Sequence, residues 1–449
     1  MWWIASVAAL GGLLFGYDWV VIGGAKPFYE AHFRLVSPST QGWAMSCALI
    51  GCLMGALLSG MLSEKFGRKP ALLTSALVFA VSSVGTGLAG SFTAFVVWRM
   101  AGGLAIGLAS SLSPIYISEI SPAAMRGRLV CLNELTIVLG VLLAQVTNWI
   151  IAVHGKGDLL ARNASVGWRW MFGATAVPSI VFLAGMFFVP ESPRWLVLHD
   201  REDQAMRTLE RLGGQENAAM VLTEIRGSVK ANEHPNQLLV ELRMLLGSNL
   251  RSVLLLGVGL AVLQQWCGIN VIFNYAQNIF SAAGYGLSET LFNIVVTGIT
   301  MVLFTFLAIA TVDRSGRRLL MLGGCGALVV IYAALGYFFW IHSRGVHMLL
   351  LVIAAIATYA MTLAPVTWVV LSEIFPGRVR GTAMAIATAS LWAACFVLTY
   401  TFPLLNAALG TAGTFCVYAC VCFLGFVAIK SWLPETKGRT LEQIESFWR

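Results

Sequence analysis

Three ionisable residues stand out inside the long apolar stretches of the N-terminal half of this sequence: Asp18, Arg99 and Glu134. An unpaired charge at bilayer depth is costly, so such residues usually pair with each other and serve a function. Pairing of Asp18 with Arg99 predicts a proton switch, because protonation of Asp18 removes the attraction to Arg99. When Asp18 is ionised, the pair instead holds one conformation. A static ion pair that only supports the structure is the alternative.

Four amide side chains are concentrated in the stretch LQQWCGINVIFNYAQ: Gln264, Gln265, Asn270 and Asn274. On one continuous helix, the spacing i, i+6 and i+10 would bring three of them roughly to one face. Amides recognise hydroxyl groups, so this face is typical of a site for a small polar molecule. Polar residues that hold neighbouring membrane helices together are the alternative.

Aromatic residues supply the second half of such a site, because their faces pack against the C–H surfaces of a small molecule. Trp368 follows Pro365, which can break a helix and let it bend as a gate. Trp392 lies in the next apolar stretch, and Phe15 is a further aromatic candidate.

The composition indicates what must position these residues. Of the 449 residues, 58% are hydrophobic and only 11% are charged, against roughly 25% charged in a soluble domain. The mean hydropathy is +0.79. We therefore predict an all-α integral membrane protein and exclude a disordered chain, a disulfide scaffold and an ordinary soluble enzyme. No Ser–His–acid pattern, P-loop or metal-ligand spacing argues for catalysis, and no cleavable signal peptide is expected.

Twelve apolar runs divide into two sets of six around a polar stretch. We predict an N-terminal six-helix bundle over 1–189, a helical linker over 190–250, a C-terminal bundle over 251–433 and a short tail over 434–449. The runs lie near 2–24, 43–63, 71–89, 94–115, 129–152, 170–189, 252–281, 290–311, 319–341, 347–372, 381–405 and 413–433. Within the linker, 201–212 and 235–246 read as amphipathic helices.

The basic residues set the expected orientation. Even-numbered loops and the tail carry most of them, whereas odd-numbered loops carry few, so both termini should be cytoplasmic. The net charge of +8 is then an orientation signal, and a nucleic-acid partner is not expected. The residues on the basic side are Lys65, Arg68, Lys69, Arg126, Arg128, Arg314, Arg317, Arg318, Arg378, Arg380, Lys437 and Arg439.

Three charged motifs occur in the same order in both halves. SEKFGRKPALL (63–73) pairs with VDRSGRRLLML (312–322), SEISPAAMRGR (118–128) with SEIFPGRVRGT (372–382), and FVPESPRWL (188–196) with SWLPETKGR (431–439). An internal repeat of six helices is typical of a transporter whose site lies between the halves.

With these motifs, the whole chain resembles a sugar porter of the major facilitator superfamily. Further matching stretches are GGLLFGYD (11–18), QQWCGIN (264–270) and PVTWVVLSEIFPGRVRG (365–381). The resemblance implies twelve helices in two pseudo-symmetric bundles with a cytoplasmic helical linker. It also implies proton-coupled symport of a monosaccharide by alternating access, in the inner membrane of a bacterium, by a monomer in contact with lipid that needs no cofactor beyond the proton.

The resemblance assigns roles to individual residues. Proton-coupled porters carry Asp at the position of Asp18 and Arg at that of Arg99, whereas related passive facilitators carry Asn in place of the Asp. Gln264, Gln265 and Asn270, with the two tryptophans, match sugar-binding positions. The loop motifs imply a cytoplasmic clamp formed by Glu64, Arg68, Glu119, Arg126, Asp313, Arg317, Glu373 and Arg380.

The chain also departs from the family. Glu134 stands where a glutamine usually contacts sugar, and Asn274, Met301 and Leu391 replace other polar partners. The substrate therefore stays open between a pentose or hexose, a polyol or cyclitol, and a cationic solute facing Glu134. A passive facilitator and a sugar sensor are further alternatives, although a sensor is expected to carry a long tail.

Overall fold

The computed structural model describes residues 2–122, 125–154, 158–213, 215–230, 237–376 and 379–437, and these residues form helices and no strands. The first half contains α1 (Trp2–Phe33), α2 (Pro38–Phe66), α3 (Arg68–Leu88), α4 (Phe92–Ile120), α5 (Arg126–Val153), α6 (Leu159–Arg162), α7 (Trp168–Gly173) and α8 (Ala176–Phe187). A π-helical turn, Asn163–Gly167, joins α6 to α7, so the sixth span begins earlier than predicted.

Four short helices follow, and then the second half. The short helices are α9 (Pro193–Leu198), α10 (Glu202–Gly213), α11 (Gln215–Lys230) and α12 (Gln237–Leu246). The second half contains α13 (Ser248–Trp266), α14 (Ile269–Asn274), α15 (Ala276–Ala282), α16 (Leu287–Ser315), α17 (Arg317–Trp340), α18 (Val346–Met361), α19 (Leu363–Ile374) and α20 (Arg380–Trp432).

Eleven helical segments in the described residues are long and apolar enough to cross a membrane. The last of them, α20, has a non-helical residue at Gly410, with φ 67° and ψ 173°. This break separates two apolar stretches that correspond to the last two predicted runs. The all-α membrane fold with paired sets of apolar helices is therefore confirmed.

Three of the short helices, α9, α10 and α11, enclose a small apolar core of their own. Trp195 of α9, Ala205 and Leu209 of α10, and Leu222 of α11 are all less than one-tenth exposed. On α10, Ala205 and Leu209 lie one turn apart between charged neighbours, so the amphipathic pattern predicted for 201–212 gives this helix its apolar face.

The chain divides into two compact units. The first comprises 1–19, 50–144 and 169–236, and the second comprises 20–49, 145–168 and 237–449. The six-helix boundaries drawn from the sequence stay a prediction.

Glycines set the position of the first half of α1. A side chain at Gly16 would overlap the backbone carbonyl of Ile137 on α5, and one at Gly11 would overlap the Ser113 hydroxyl on α4. Only residues without side chains allow this close approach, a common device in membrane helices. The GGLLFGYD stretch therefore packs the first half of α1 closely against α4 and α5.

Candidate functional site

Asp18 and Arg99 form a buried ion pair in the first unit. Arg99 Nη1 donates to Asp18 Oδ1, and the two residues are only 5% and 4% exposed. The Arg99 guanidinium also lies 5.3 Å from the centre of the Phe172 ring, a cation–π distance. The predicted pairing is thus present, and it joins α1 to α4. Its use as a proton switch stays a prediction.

The other two candidates of the first unit lie close to this pair in sequence or on an adjoining helix. Phe15 is half-buried and packs against Trp19, with ring centres 5.2 Å apart. Glu134 is half-buried on α5 and forms no ion pair or hydrogen bond within the described part of the chain. Trp19 was not among the predicted site residues. Its i, i+4 spacing from Phe15 on one helix could have indicated this aromatic pair.

The amide cluster of the second unit is connected by hydrogen bonds. Gln265 Nε2 donates to Gln264 Oε1 at 2.9 Å, and Asn270 Nδ2 donates to Gln265 Oε1. All three residues are at most 5% exposed. A row of buried amides can rotate to offer both donors and acceptors to a ligand with several hydroxyl groups.

The reason given for this cluster was wrong, because the helix is not continuous. Gly268 has φ 87° in the left-handed region, where glycine is favoured, and it separates α13 from α14. The argument from one helix face therefore does not hold. The turn at Gly268 instead folds the chain so that Asn270 reaches Gln265.

The remaining candidates of the second unit lie on three different helices. Asn274 is 5% exposed at the end of α14, and its Oδ1 has no hydrogen-bond partner among the described residues. Trp392 is buried on α20, one turn before Cys395, whose sulfur lies 3.8 Å from Asn270 Nδ2. Trp368 is half-buried on α19, just after the break at Thr362 between α18 and α19.

A second buried ion pair was missed from the sequence. The first span was expected to end near residue 24 with Lys26 in a loop, but α1 continues to Phe33. Lys26 Nζ lies 2.9 Å from Glu30 Oε2 and 5.6 Å from the centre of the Tyr275 ring. The i, i+4 spacing of opposite charges could have indicated a helix here.

The first loop motif forms a network within the first unit, which we call the N-terminal loop network: Arg68, Glu119, Glu191 and Ser192. Arg68 donates twice to the carboxylate of Glu119, each bond 3.1 Å long. Ser192 Oγ donates to the same carboxylate at 2.5 Å. Glu191 accepts the backbone N–H groups of Arg68 and Lys69 at the start of α3. Burial raises the pKa of the Glu191 carboxyl, and these N–H groups oppose the rise.

The second copy of the motifs forms the same arrangement in the second unit, the C-terminal loop network: Arg317, Glu373, Glu435 and Thr436. Arg317 Nη2 lies 3.3 Å from Glu373 Oε1, and Thr436 Oγ1 donates to Glu373 at 2.5 Å. Glu435 accepts the backbone N–H of Arg317 at 3.0 Å. The two copies of the motifs therefore form equivalent hydrogen bonds. Glu191 and Glu435 were not included in the predicted clamp.

The other predicted clamp residues contribute less or lie outside the described part. The Glu64 carboxylate is exposed, and only its backbone carbonyl is used, by Trp195 Nε1 at 2.8 Å. Arg380 Nε donates to the carbonyl of Phe375 at 3.2 Å. The side chains of Arg126 and Asp313 lie outside the described residues.

We expect Glu119→Gln to destabilise the protein by about 1–3 kcal/mol, because the buried Arg68 guanidinium loses its charged partner. Thermal unfolding of the purified protein in detergent measures the change. Ser118→Ala is the control, since this neighbouring hydroxyl bonds only to its own helix. An unfolding temperature equal to that of the wild type would show that the N-terminal loop network carries little stability.

The family model described as "Sugar (and other) transporter" matches residues 4–448. The chain is 36% identical to the D-xylose-proton symporter of Escherichia coli K12, over 99% of this chain and 95% of the relative. It is 35% identical to the arabinose-proton symporter of Bacillus subtilis 168, over 99% and 94%. The glucose facilitated diffusion protein of Zymomonas mobilis is 34% identical, over 99% and 97%.

A solved structure shows the same fold. The inward-open conformation of the xylose transporter XylE from E. coli aligns with a TM-score of 0.87 at 35% identity, covering 99% of both chains. A family match over nearly the whole chain and relatives above one-third identity identify the protein as a transporter and not an enzyme. The chain belongs to the sugar transporter family of the major facilitator superfamily.

Proposed function

We propose that this protein moves a small sugar together with protons across a bacterial inner membrane. The observation that carries the proposal is the buried Asp18–Arg99 pair, the arrangement expected of a proton-coupled member and not of a passive one. Relatives named as xylose-proton and arabinose-proton symporters support the same conclusion.

Coupling follows from the energetics of this pair. With Asp18 ionised, the two charges neutralise each other in a buried environment and hold α1 to α4. With Asp18 protonated, that attraction is lost and the balance between two conformations shifts. Moving one charge through the membrane potential supplies about 2.3 kcal/mol per 100 mV, enough for a roughly 50-fold sugar gradient.

The amide cluster is the proposed sugar-binding surface of the second unit. Gln264, Gln265 and Asn270 present linked donors and acceptors, and Asn274 adds a buried carbonyl oxygen that lacks a partner among the described residues. Sugar hydroxyl groups can satisfy such atoms. Together with Trp392 and Trp368 of the same unit, this set favours a pentose or hexose. A polyol or cyclitol would use the same chemistry.

A second candidate function is passive facilitation, in which the ion pair is only structural. The facilitated-diffusion relative from Zymomonas mobilis favours it, because that protein is nearly as similar as the symporters. The two functions differ in one property, since only a symporter concentrates sugar at the expense of a proton gradient.

Uptake by reconstituted vesicles tests the proposal. Purified protein in proteoliposomes is given a panel of labelled pentoses, hexoses and polyols, with and without an inward proton gradient. We expect accumulation above equilibrium with the gradient and its loss on adding a protonophore. Equal internal and external sugar in both conditions would identify a facilitator instead.

The proposal also includes the orientation of the protein in the membrane and its oligomeric state. We infer that both termini are cytoplasmic, because the even-numbered loops carry the basic residues. Both loop networks then lie on the cytoplasmic side and support the clamp that opens and closes there. The protein would act as a monomer surrounded by lipid, with the proton as its coupling ion and no cofactor.

Substitution of Glu134 tests whether a carboxylate contacts the substrate. Glu134→Gln should change the ranking of substrates in the uptake panel, because it replaces a charge by a neutral amide of the same shape. Glu134→Asp keeps the charge and is the matched control. An unchanged ranking in both variants would assign Glu134 to helix packing.

A further inference from the structure

A small cavity lies beside the Asp18–Arg99 pair in the first unit. Its lining includes the pair, Ser82, Ser83 and Thr86 of α3, and Thr175 at the start of α8. The cavity has room for about one water molecule and enough polar neighbours to hold it. Four hydroxyl groups therefore border the space next to the ion pair.

The hydrogen bonds that these hydroxyl groups already form determine whether they can bind a cation or an anion. Ser82 and Ser83 each donate to the carbonyl of Phe79, at 2.9 and 2.7 Å, and Thr86 donates to the carbonyl of Ser82 at 2.7 Å. With their protons committed, these oxygens have only lone pairs to offer. They can accept from a guanidinium or from a water bound to it, but they cannot donate to a carboxylate.

Thr175, at the start of α8, adds a fourth hydroxyl group to the lining of the cavity. The residue is 1% exposed, and its Oγ1 has no hydrogen-bond partner among the described residues. An unmade hydrogen bond at a buried hydroxyl is costly, so its persistence here needs a reason. A water that bridges Thr175 to the acceptors on α3 would satisfy it.

We propose that this cavity solvates the Arg99 guanidinium when Asp18 is protonated. The proposal rests on the proposed symport, in which Asp18 must release its partner in each cycle. A buried guanidinium without a counter-charge is strongly destabilised. The hydroxyl oxygens and a bound water replace part of the lost interaction, beside the Phe172 ring. The four hydroxyl residues are thus positioning residues that set how readily Asp18 takes up a proton.

Other charged or titratable groups lie on the helices around the pair. Glu134 lies on α5, and Tyr17 precedes Asp18 on α1. Arg169 of α7 donates to the carbonyls of Gly87 and Ala89, at 2.8 and 2.9 Å. At the far ends of α3 and α4, Arg68, Lys69 and Glu119 belong to the contacts at the loop motif. Since Arg68 already binds the Glu119 carboxylate there, Glu134 is the carboxylate to exclude, and the test is repeated with Glu134→Gln.

The test compares the pH dependence of proton-driven sugar uptake in vesicles. Thr175→Val keeps the shape and removes the hydroxyl, and Ser83→Ala removes an acceptor from α3. Each should move the pH of half-maximal uptake to more acidic values by about 0.5–1 unit, a roughly three- to tenfold lower proton affinity. The pH shifts in the acidic direction because Arg99 without its carboxylate partner depends more on this solvation than Arg99 paired with ionised Asp18. Its loss therefore raises the free energy of the protonated state more than that of the ionised state.

Matched controls are Ser179→Ala and Ser75→Ala. Both hydroxyl groups are buried on the same helices, but they bond to the carbonyls of Thr175 and Ala105 and do not line the cavity. Sugar exchange at equal pH on both sides checks that every variant is folded and binds sugar.

The outcomes separate this inference from the proposed function. If sugar uptake by the wild type does not depend on the proton gradient, both the proposed symport and this inference are overturned. Wild-type symport with unshifted profiles in both cavity variants, or with alkaline shifts, would overturn only the cavity's role. Acid shifts in the cavity variants, retained in the Glu134→Gln background and absent from the controls, would support it.

Discussion

Asp18→Asn is expected to abolish accumulation of sugar against a gradient while preserving sugar binding and exchange. The substitution keeps the shape and hydrogen-bonding capacity of the side chain but removes the proton that it can carry. Arg99 also loses its charged partner in every state, so proton movement no longer changes the balance between conformations. In vesicles that reach up to a roughly 50-fold gradient with the wild type, the internal-to-external ratio should fall to about one.

Active uptake and counterflow exchange, measured in the same vesicle preparation, separate loss of coupling from loss of folding. Asp200→Asn is the matched control, because Asp200 is exposed between α9 and α10 and carries the same substitution. If Asp18→Asn still concentrates sugar under a proton gradient, then Asp18 is not the coupling residue. Glu134 would then become the principal carboxylate to test.

The Asp18–Arg99 pair was predictable because its physical reason is simple. Two opposite charges in apolar stretches are each costly alone and must find each other. The sequence could not give the cavity beside the pair. Serine and threonine occur throughout these helices, and only the packing of the helices shows which hydroxyl groups line the cavity beside Arg99.

The loop networks were predictable in part. Repetition of the motifs in both halves indicated that Arg68 and Arg317 act in similar places. The roles of Glu191 and Glu435 were not visible, because each carboxylate accepts backbone N–H groups, which every residue except proline carries. The constraint lies instead in a neighbouring glycine: Gly67 has φ 107°, and a side chain there would overlap the Glu191 carboxylate. A glycine directly before two basic residues could have indicated this close approach, but the spacing of the motifs alone did not reveal it.

Hydropathy misplaced the end of the first span because charged residues were taken to mark a loop. Lys26 and Glu30 neutralise each other one helical turn apart, so the helix continues through them. Similarly, the amide cluster was expected on one helix face, whereas Gly268 interrupts the helix. Apolar periodicity predicts that helices exist, but compensating charges and single left-handed residues determine where they end.

Gln265→Ala is expected to weaken sugar binding by about 1–3 kcal/mol, or roughly 5- to 150-fold in affinity. Gln265 donates to Gln264 and accepts from Asn270, so its removal leaves both neighbouring amides misplaced as well as one partner missing for the sugar. Gln264→Ala should weaken sugar binding by less, within the same range, because the Gln264 side chain is bonded to only one other amide. Binding is measured by competition against a labelled substrate of the uptake panel.

Gln277→Ala is the matched control, since this amide lies on α15 and contacts only the Ser281 hydroxyl, at 3.5 Å. Its affinity for sugar should equal that of the wild type. Thermal unfolding of all three variants distinguishes a lost sugar contact from a collapsed helix junction at Gly268. Unchanged affinity in both Gln264→Ala and Gln265→Ala would show that the amide row serves helix packing, and the sugar-binding surface would then have to be sought around Trp392 and Trp368.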